Sequence, residues 1–252
     1  NSLPYALERR SMRALGGARE PAMAADAIVH HASVRAMLLT QKAIAEGGRS
    51  MAYECALVAD RFSDATLGGD AAAARVEDER LAFLTPILKG FLTEAGKEAA
   101  DLGIQVWGGH GYVRENGAEQ TYRDVRIAPV WEGTTQIQAL DLLGRKVLLQ
   151  KLRPVFEHVA GLLALCGPHL LSPDAALRAH AWTLAAHAAD WAYLTARVAA
   201  RAARDRDEVS AASVDFLKDV STATWSSHNA VSDADRCCQQ KKGQRHVPAA
   251  SL

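Results

Sequence analysis

The sequence predicts an all-α fold, an antiparallel helical bundle with an appended helical domain. Apolar residues recur at spacings near three, four and seven over long stretches, alanine fills the positions between them, and runs of β-branched residues are scarce. In addition, 49% of the 252 residues are hydrophobic, which is enough for a buried core in one large or two modest domains. We therefore expect a globular protein built from packed helices.

The first long helix is predicted by one apolar stripe between Val34 and Phe62. Gly47 and Gly48 interrupt this pattern and weaken the helix by about 1 kcal/mol each relative to alanine. We interpret the pair as a point of close contact with another helix. The residues of the stripe are Val34, Met37, Leu38, Ile44, Met51, Cys55, Val58 and Phe62.

Residues 63–80 are polar and contain two glycines, and they are predicted to form a surface loop. A second long helix is predicted from Leu81 to Leu102. Proline is tolerated in the first turn of a helix, where its missing N–H has no intrahelical partner, so we expect Pro86 near the start of this helix. The helix leads directly into a glycine cluster at Gly108.

A third helix is predicted, capped by Thr134 or Thr135. From about residue 151 the sequence becomes alanine-rich, with a new apolar stripe through Leu177, Leu184, Trp191, Leu194 and Val198. Beyond Trp225 the periodicity is lost. We therefore expect a helical bundle over 1–150, a partial appended helical domain over 151–225, and an irregular or disordered tail over 226–252.

The composition of the chain excludes several classes of binding partner. The chain has 29 basic and 29 acidic residues, so no global field attracts it to nucleic acid or to an anionic membrane. No apolar run approaches the roughly 20 residues that a membrane helix needs. The four cysteines and nine histidines show no metal-ligand spacing, so no metal is expected. The cysteines are too few for a disulfide framework, so we expect a reducing compartment, cytoplasmic or an organelle matrix. The start at Asn1 within helix-like sequence indicates part of a longer chain.

The chemistry of the sequence is concentrated between Gln105 and Gln138. Residues Gly108 to Gly111 include three glycines in four positions, which allow positive φ and close approach of a phosphate to backbone N–H groups. The same pattern also ends an ordinary helix. From these residues alone, a phosphate cradle and a structural helix end remain equally open.

A carboxylate, Glu132, lies between Trp131 and Gly133 immediately before the third predicted helix. Glutamate at a helix N-terminus commonly stabilises the helix dipole by about 0.3–1 kcal/mol. The pair Arg123 and Asp124 upstream is typical of a local ion pair. Each feature by itself is more often structural than functional.

Together, however, these features resemble the C-terminal helical domain of the acyl-CoA dehydrogenase family. The shared pattern is a glutamine, two residues, GGxGY, an RD pair, then a (Y/W)EGT turn followed by glutamine. The segments YALERR and QALDLLGRK extend the resemblance from about Tyr5 to Leu149. The alanine-rich second half is similar to a subgroup that has an extra C-terminal helical domain and acts on short, methylthio-substituted or longer acyl-CoA thioesters.

The resemblance implies FAD-dependent α,β-dehydrogenation of an acyl-CoA thioester. Glu132 matches the catalytic base that removes the α-proton, and its backbone N–H matches the donor to the thioester carbonyl. Trp131 and Gly133 are the implied substrate-binding residues, with Trp131 supplying an apolar wall. An electron-transfer flavoprotein is the implied electron acceptor.

For the cofactor, Gln105, Gly108 and Gly109 match residues that contact the ADP portion of FAD, usually the FAD of a neighbouring subunit. A homodimer or tetramer is therefore implied. Thr134 and Gln136 match residues near FAD on the base's own helix. Arg9 aligns more loosely with an arginine that reaches the pyrophosphate.

Three departures from the family pattern bear on these expectations. Met12 and Arg13 replace the usual phenylalanine and glycine after Arg9. The helical and β-barrel-like domains that precede this region in the family are not in this sequence, and the sequence after Trp225 departs from the subgroup. Two alternatives therefore stay open: a catalytically inactive helical fragment that only dimerises, and an acyl-CoA oxidase-like flavoenzyme.

Overall fold

The computed structural model describes residues 1–224, and their regular structure is helical apart from one isolated bridge between Arg10 and Ala27. This confirms the predicted all-α fold class. The tail predicted over 226–252 lies outside the described residues. The helices are α1 (Ser2–Glu8), α2 (Ala32–Leu67), α3 (Ala71–Trp107), α4 (Gly109–Tyr112), α5 (Ala118–Arg126), α6 (Thr135–Leu140), α7 (Arg153–Cys166), α8 (Ala175–Ala202) and α9 (207–224), with a π-helical segment at Asp141–Leu148.

The chain forms two compact units that interleave along the sequence. The first comprises residues 1–48 and 89–135, and the second comprises residues 49–88 and the chain from 136 onward. Both long helices, α2 and α3, contribute residues to each unit. The domain boundary near residue 150 stays a prediction.

The loop predicted over 63–80 is wrong, because only Gly68 to Asp70 separate α2 from α3. The Asp70 amide donates to the Ala65 carbonyl at 2.9 Å, a bond that closes a helix C-terminus, and the Asp70 carboxylate accepts from the Ala73 amide at 3.0 Å. The alanine-rich residues that follow are strong helix formers. The two glycines therefore mark a short turn between helices instead of a long loop.

The expected place of Pro86 is also wrong, since α3 begins at Ala71 and Pro86 lies in its interior. A proline there removes one intrahelical hydrogen bond and usually bends the helix. The Thr85 hydroxyl donates to the Leu81 carbonyl at 2.7 Å in the same turn. The helix begins at Ala71 because Asp70 caps it. The loop prediction over 63–80 treats Asp70 as a loop residue and therefore misses this cap.

The helices α2 and α3 contact each other within each unit. In the first unit, a Cβ built on Gly48 would lie 2.7 Å from Leu92 Cδ2, so the helices approach closely there. In the second unit, Arg80 Nη2 donates to Glu54 Oε1 at 2.7 Å. The interpretation of Gly48 as a point of close helix contact is confirmed.

The second unit packs around Trp191, which is 2% exposed. Its ring centroid lies 6.4 Å from that of Phe83, 5.9 Å from His158 and 5.8 Å from Phe216, so α3, α7, α8 and α9 meet at this indole. Aromatic rings at these separations favour tilted and edge-to-face contacts. The cluster anchors the alanine-rich half of the chain.

The predicted stripe on α8 is correct for Leu184 and Trp191 but wrong for Leu194, which is 37% exposed. The buried position is Thr195, whose hydroxyl donates to the Trp191 carbonyl at 2.7 Å. A threonine can be buried on a helix because its hydroxyl can donate to a backbone carbonyl of the preceding turn. A pattern that counts only apolar residues therefore misses it.

No helix within residues 1–224 has both the length and the apolar character required to span a bilayer.

Candidate functional site

The glycine cluster forms a turn between α3, which ends at Trp107, and the short helix α4. Gly108 has φ +58° and ψ −142°, a conformation that side-chain-bearing residues rarely adopt. A Cβ on Gly111 would lie 2.7 Å from the Ile104 carbonyl oxygen and 2.9 Å from Trp107 Cβ. The backbone conformation thus explains Gly108, and close packing explains Gly111.

Gly109 is different, because neither its φ angle nor its surroundings require a glycine. It lies outside the left-handed region, and a Cβ built on it meets no atom within 4 Å. Its backbone is exposed beside the turn. Because Gly109 has no side chain and the space beside it is open, a ligand can approach its backbone.

A cavity of about 380 Å³ opens at this turn. Four residues predicted to bind the cofactor line it together, namely Arg9, Gln105, Gly108 and Gly109, whereas Glu132, Thr134 and Gln136 are not among its lining residues. Arg9 comes from the distant start of the chain, where its carbonyl accepts from the Ile28 amide at 2.8 Å. The fold therefore brings the loosely aligned arginine to the same cavity as the glycines.

Two aromatic residues that the sequence analysis did not select support this cavity. The ring of Tyr5 stacks on Trp107, with centroids 4.2 Å apart and planes inclined by 12°. The Tyr5 hydroxyl also lies 2.8 Å from His110 Nδ1. One side chain on α1 thus contacts the residues on both sides of the glycine pair, a relationship that no local sequence pattern reveals.

The loop that follows Arg9 is organised by a buried carboxylate, Asp26, which is 0% exposed. It accepts from the amides of Ala14 at 2.9 Å, Glu20 at 2.8 Å and Arg19 at 3.0 Å, and from Arg13 Nη1 at 3.2 Å. These donors, the Ala14 amide foremost, hold the pKa of Asp26 well below its usual range, although burial acts against them. Arg13, a departure from the family pattern, is therefore part of this loop's framework.

The turn that carries Glu132 has a left-handed backbone at two consecutive residues, with φ +53° at Glu132 and +97° at Gly133. For a residue with a side chain this conformation costs about 1–3 kcal/mol, so the surrounding structure must hold it. On either side, the Trp131 amide donates to the Ile127 carbonyl at 3.1 Å and the Thr135 amide donates to the Pro129 carbonyl at 3.2 Å. Glu132 is exposed, and Trp131 beside it is 60% exposed.

Side chains of α3 contact the same turn. Lys89 Nζ donates to the Gly133 carbonyl, and the Thr135 hydroxyl donates to Glu94 Oε1 at 2.8 Å. Lys97 Nζ lies 2.6 Å from the other Glu94 oxygen. Burial raises the pKa of Glu94, but the hydrogen bonds from Lys97 and Thr135 outweigh it and leave that pKa below its ordinary value.

The remaining predicted residues lie at the start of the next helix. α6 begins at Thr135, as predicted, so Thr134 directly precedes it and Gln136 lies in its first turn. Both side chains are exposed. The Glu132 carboxylate, on a strained turn next to an exposed indole and polar groups, can accept a proton from a ligand that covers it.

Comparison with known proteins identifies the family to which these features belong. Residues 6–148 match the family model described as "Acyl-CoA dehydrogenase, C-terminal domain". The chain belongs to the acyl-CoA dehydrogenase family. The matched range contains the glycine turn at Gly108, the turn at Glu132 and both long helices.

Individual acyl-CoA dehydrogenases extend the similarity beyond the matched domain. The chain is 39% identical over 218 residues to 3-methylmercaptopropionyl-CoA dehydrogenase of Ruegeria pomeroyi, covering 86% of this chain and 36% of that protein. It is 34% identical over 163 residues to the broad-specificity linear acyl-CoA dehydrogenase FadE5 of Mycobacterium tuberculosis, covering 64% and 26% respectively. The chain therefore spans about a third or less of the length of these acyl-CoA dehydrogenases.

Solved structures of acyl-CoA dehydrogenases share the fold. Caenorhabditis elegans ACDH-11 in complex with C11-CoA superposes with a TM-score of 0.65 at 20% identity, covering 91% of this chain and 36% of that one. The acyl-CoA dehydrogenase of Bacillus anthracis complexed with FAD gives a TM-score of 0.63 at 20% identity, covering 91% and 38%. At this identity the likeness concerns the fold alone.

Proposed function

We propose that this chain carries the catalytic base of an FAD-dependent acyl-CoA dehydrogenase, and that Glu132 removes the α-proton of an acyl-CoA thioester. The observation that supports this most directly is the conformation of Glu132, a non-glycine residue held with left-handed φ just before α6. Strain of this kind persists where the surroundings fix one geometry for function. It occurs here in a chain of the acyl-CoA dehydrogenase family.

The residues of this chain then carry out one chemical step, the abstraction of the α-proton. The Glu132 carboxylate takes the α-proton, which becomes more favourable once an acyl chain covers it and displaces water. The backbone N–H of Glu132 donates to the thioester carbonyl and stabilises the negative charge that develops there. Bound FAD supplies the acceptor for the hydride that leaves the β-carbon. Trp131 and Gly133 flank the base and border the substrate.

The cavity at the glycine turn fits the ADP portion of FAD. Its lining combines a cation, Arg9, with the amide of Gln105 and an exposed main chain at Gly108 and Gly109, which suits a pyrophosphate and its ribose. In the family this portion belongs to the FAD of a neighbouring subunit, so we propose a homodimer or tetramer. Thr134 and Gln136 then contact the FAD that serves Glu132 itself.

The finer assignments rest on relatives and composition. Relatives are named for methylthio-substituted propionyl-CoA and for linear acyl-CoA thioesters, so an acyl-CoA is the proposed substrate class. An electron-transfer flavoprotein is the proposed electron acceptor. The few cysteines support a reducing compartment, and we propose the cytoplasm.

The test is the bleaching of flavin absorbance when acyl-CoA is added to FAD-loaded protein in which these residues are joined to the helical and β-barrel-like domains that precede them in the family. Glu132→Gln keeps the size of the side chain but removes the base, and we expect the rate of bleaching to fall by about 10³-fold. Glu115→Gln, at an exposed glutamate on another segment of the same unit, is the matched control and should bleach at the wild-type rate. An undiminished rate in Glu132→Gln contradicts the assignment.

Two further measurements separate the alternatives. Oxygen consumption with acyl-CoA in the absence of an electron-transfer flavoprotein identifies an oxidase, whereas a dehydrogenase consumes little. These residues purified alone test whether the site is complete, and tight stoichiometric flavin after dialysis against FAD would contradict an incomplete site. We expect little oxygen consumption.

A further inference from the structure

We propose that Lys89 is a positioning residue that holds the turn of Glu132 and Gly133 in its left-handed conformation, an inference that rests on the proposed role of Glu132 as the base. Lys89 is half-buried on α3, and its ammonium donates to the Gly133 carbonyl across 44 residues of sequence. A charged donor to a carbonyl is a strong hydrogen bond when water is partly excluded. It acts on the residue directly after the base.

The geometry of the turn explains why such a bond is needed. The φ angles are +53° at Glu132 and +97° at Gly133, so two successive residues have the positive φ that most residues avoid. Rotation of either residue moves the Gly133 carbonyl and the Glu132 side chain together. A donor that holds the carbonyl therefore also restrains the backbone from which the Glu132 side chain extends.

A second contact from α3 holds the other side of the turn. The Thr135 hydroxyl donates to Glu94, and Lys97 pairs with the same carboxylate at 2.6 Å. Lys89 and Glu94 are five positions apart on one helix, about 7.5 Å along its axis at the rise of an α-helix. The rigid helix α3 thus contacts the turn at two points, the carbonyl after the base and the first residue of α6.

Lys89 does not belong to the cavity at Gly108, and its role is to orient Glu132. A displacement of about 1 Å in a catalytic group can lower a rate by about 100-fold. Loss of the Lys89 donor should therefore lower kcat while the affinity for acyl-CoA changes little. It should also loosen the turn in the absence of any substrate.

The experiment compares Lys89→Met, which keeps the length of the chain but removes the donor, with Lys89→Arg, which keeps a donor. The matched control is Lys42→Met, at an exposed lysine on α2 that pairs with Glu46. The first readout is hydrogen exchange of the Trp131 and Thr135 amides, which bracket the turn. The second readout is kcat and KM for acyl-CoA in the FAD-loaded protein.

We expect the two amides to exchange at least about tenfold faster in Lys89→Met, through local opening, but not in Lys89→Arg or Lys42→Met. We expect kcat to fall about 10- to 100-fold, with KM within about threefold. If Lys89→Met fails to fold by circular dichroism, Lys89→Gln, which is too short to reach, replaces it. Unchanged exchange, or faster exchange with an unchanged kcat, overturns the proposal.

Failure of the inference can be told apart from failure of the proposed function. If wild-type protein loaded with FAD does not react with any acyl-CoA, the proposed function is wrong. The hydrogen-exchange measurement needs neither substrate nor activity, so unchanged exchange in Lys89→Met still overturns the role of Lys89. If the enzyme is active and the two amides exchange at the wild-type rate in Lys89→Met, only the proposed role of Lys89 is refuted.

Discussion

The phenol of Tyr5 stacks on the indole of Trp107 with ring centroids 4.2 Å apart, so the first helix is fixed to the residue at which α3 ends. Because the Tyr5 hydroxyl also bonds to His110, this one side chain holds the glycine turn from both directions. Arg9 follows Tyr5 by one helical turn. The arginine and the glycines therefore reach the same cavity as a consequence of an aromatic contact.

Removal of the Tyr5 ring should release this arrangement. We expect Tyr5→Phe to lower the free energy of unfolding by about 1 kcal/mol, the typical value of one hydrogen bond. Tyr5→Ala should cost about 2–3 kcal/mol because the stacking and the buried area are lost as well. Urea denaturation measures both changes. Tyr53→Phe, at a tyrosine that is 68% exposed, should be nearly neutral, and equal effects at the two tyrosines contradict the role of Tyr5.

The glycines of the turn should respond differently to alanine. In Gly111→Ala the new methyl group meets the Ile104 carbonyl and Trp107, so we expect a loss of about 1–3 kcal/mol in the free energy of unfolding. In Gly109→Ala the methyl group enters open space, so stability should stay within about 0.5 kcal/mol. If FAD occupies this cavity, Gly109→Ala should nevertheless weaken binding of FAD. Flavin fluorescence quenching measures that binding, and unchanged affinity would argue against a cofactor at Gly109.

The buried carboxylate of Asp26 should make stability depend on pH. Its pKa is lower in the folded protein than the value near 3.9 of an unfolded aspartate, so the stabilising form is the carboxylate. Its contribution is complete above that unfolded pKa and is lost as pH falls toward the folded pKa. We expect Asp26→Asn to be less stable than wild type at pH 7, with the difference shrinking below about pH 4.

Urea denaturation between pH 3 and pH 7 measures this difference. Asp101→Asn, at an exposed aspartate on α3, is the control and should follow the wild-type curve. A constant gap between wild type and Asp26→Asn over the whole range would show that packing, and not ionisation, accounts for the loss.

The two tryptophans of α8 offer a direct comparison of core and surface. Trp191 is 2% exposed and touches aromatic rings from three other helices, whereas Trp182 is 58% exposed. We expect Trp191→Ala to cost about 3–5 kcal/mol through the cavity it leaves. Trp182→Ala should cost about 1 kcal/mol, largely from its hydrogen bond to the Leu170 carbonyl. Thermal denaturation of the two variants checks the ranking, which a reversal would refute.

The wrong predictions for residues 63–80, Pro86 and Leu194 all concern long helices. Gly68 and Gly69 predict a loop, and Pro86 predicts a helix start, only when each local signal is considered alone. A helix continues through unfavourable residues when caps such as Asp70 and burial along its length outweigh them. The apolar pattern predicts Leu194 in the core because such a pattern does not count a buried threonine such as Thr195.

The sequence by itself determined the all-α class, the family and the identity of the candidate base, because helical periodicity and the ordered motif around Glu132 are local properties of the chain. Tertiary structure alone decided how those residues are held. The left-handed φ of Glu132 is a property of the folded backbone. The bond from Lys89 to Gly133 and the cavity that Arg9 and Gly109 line together join positions distant in sequence. Such contacts depend on the packing of α1 and α3 against later segments, which no local pattern encodes.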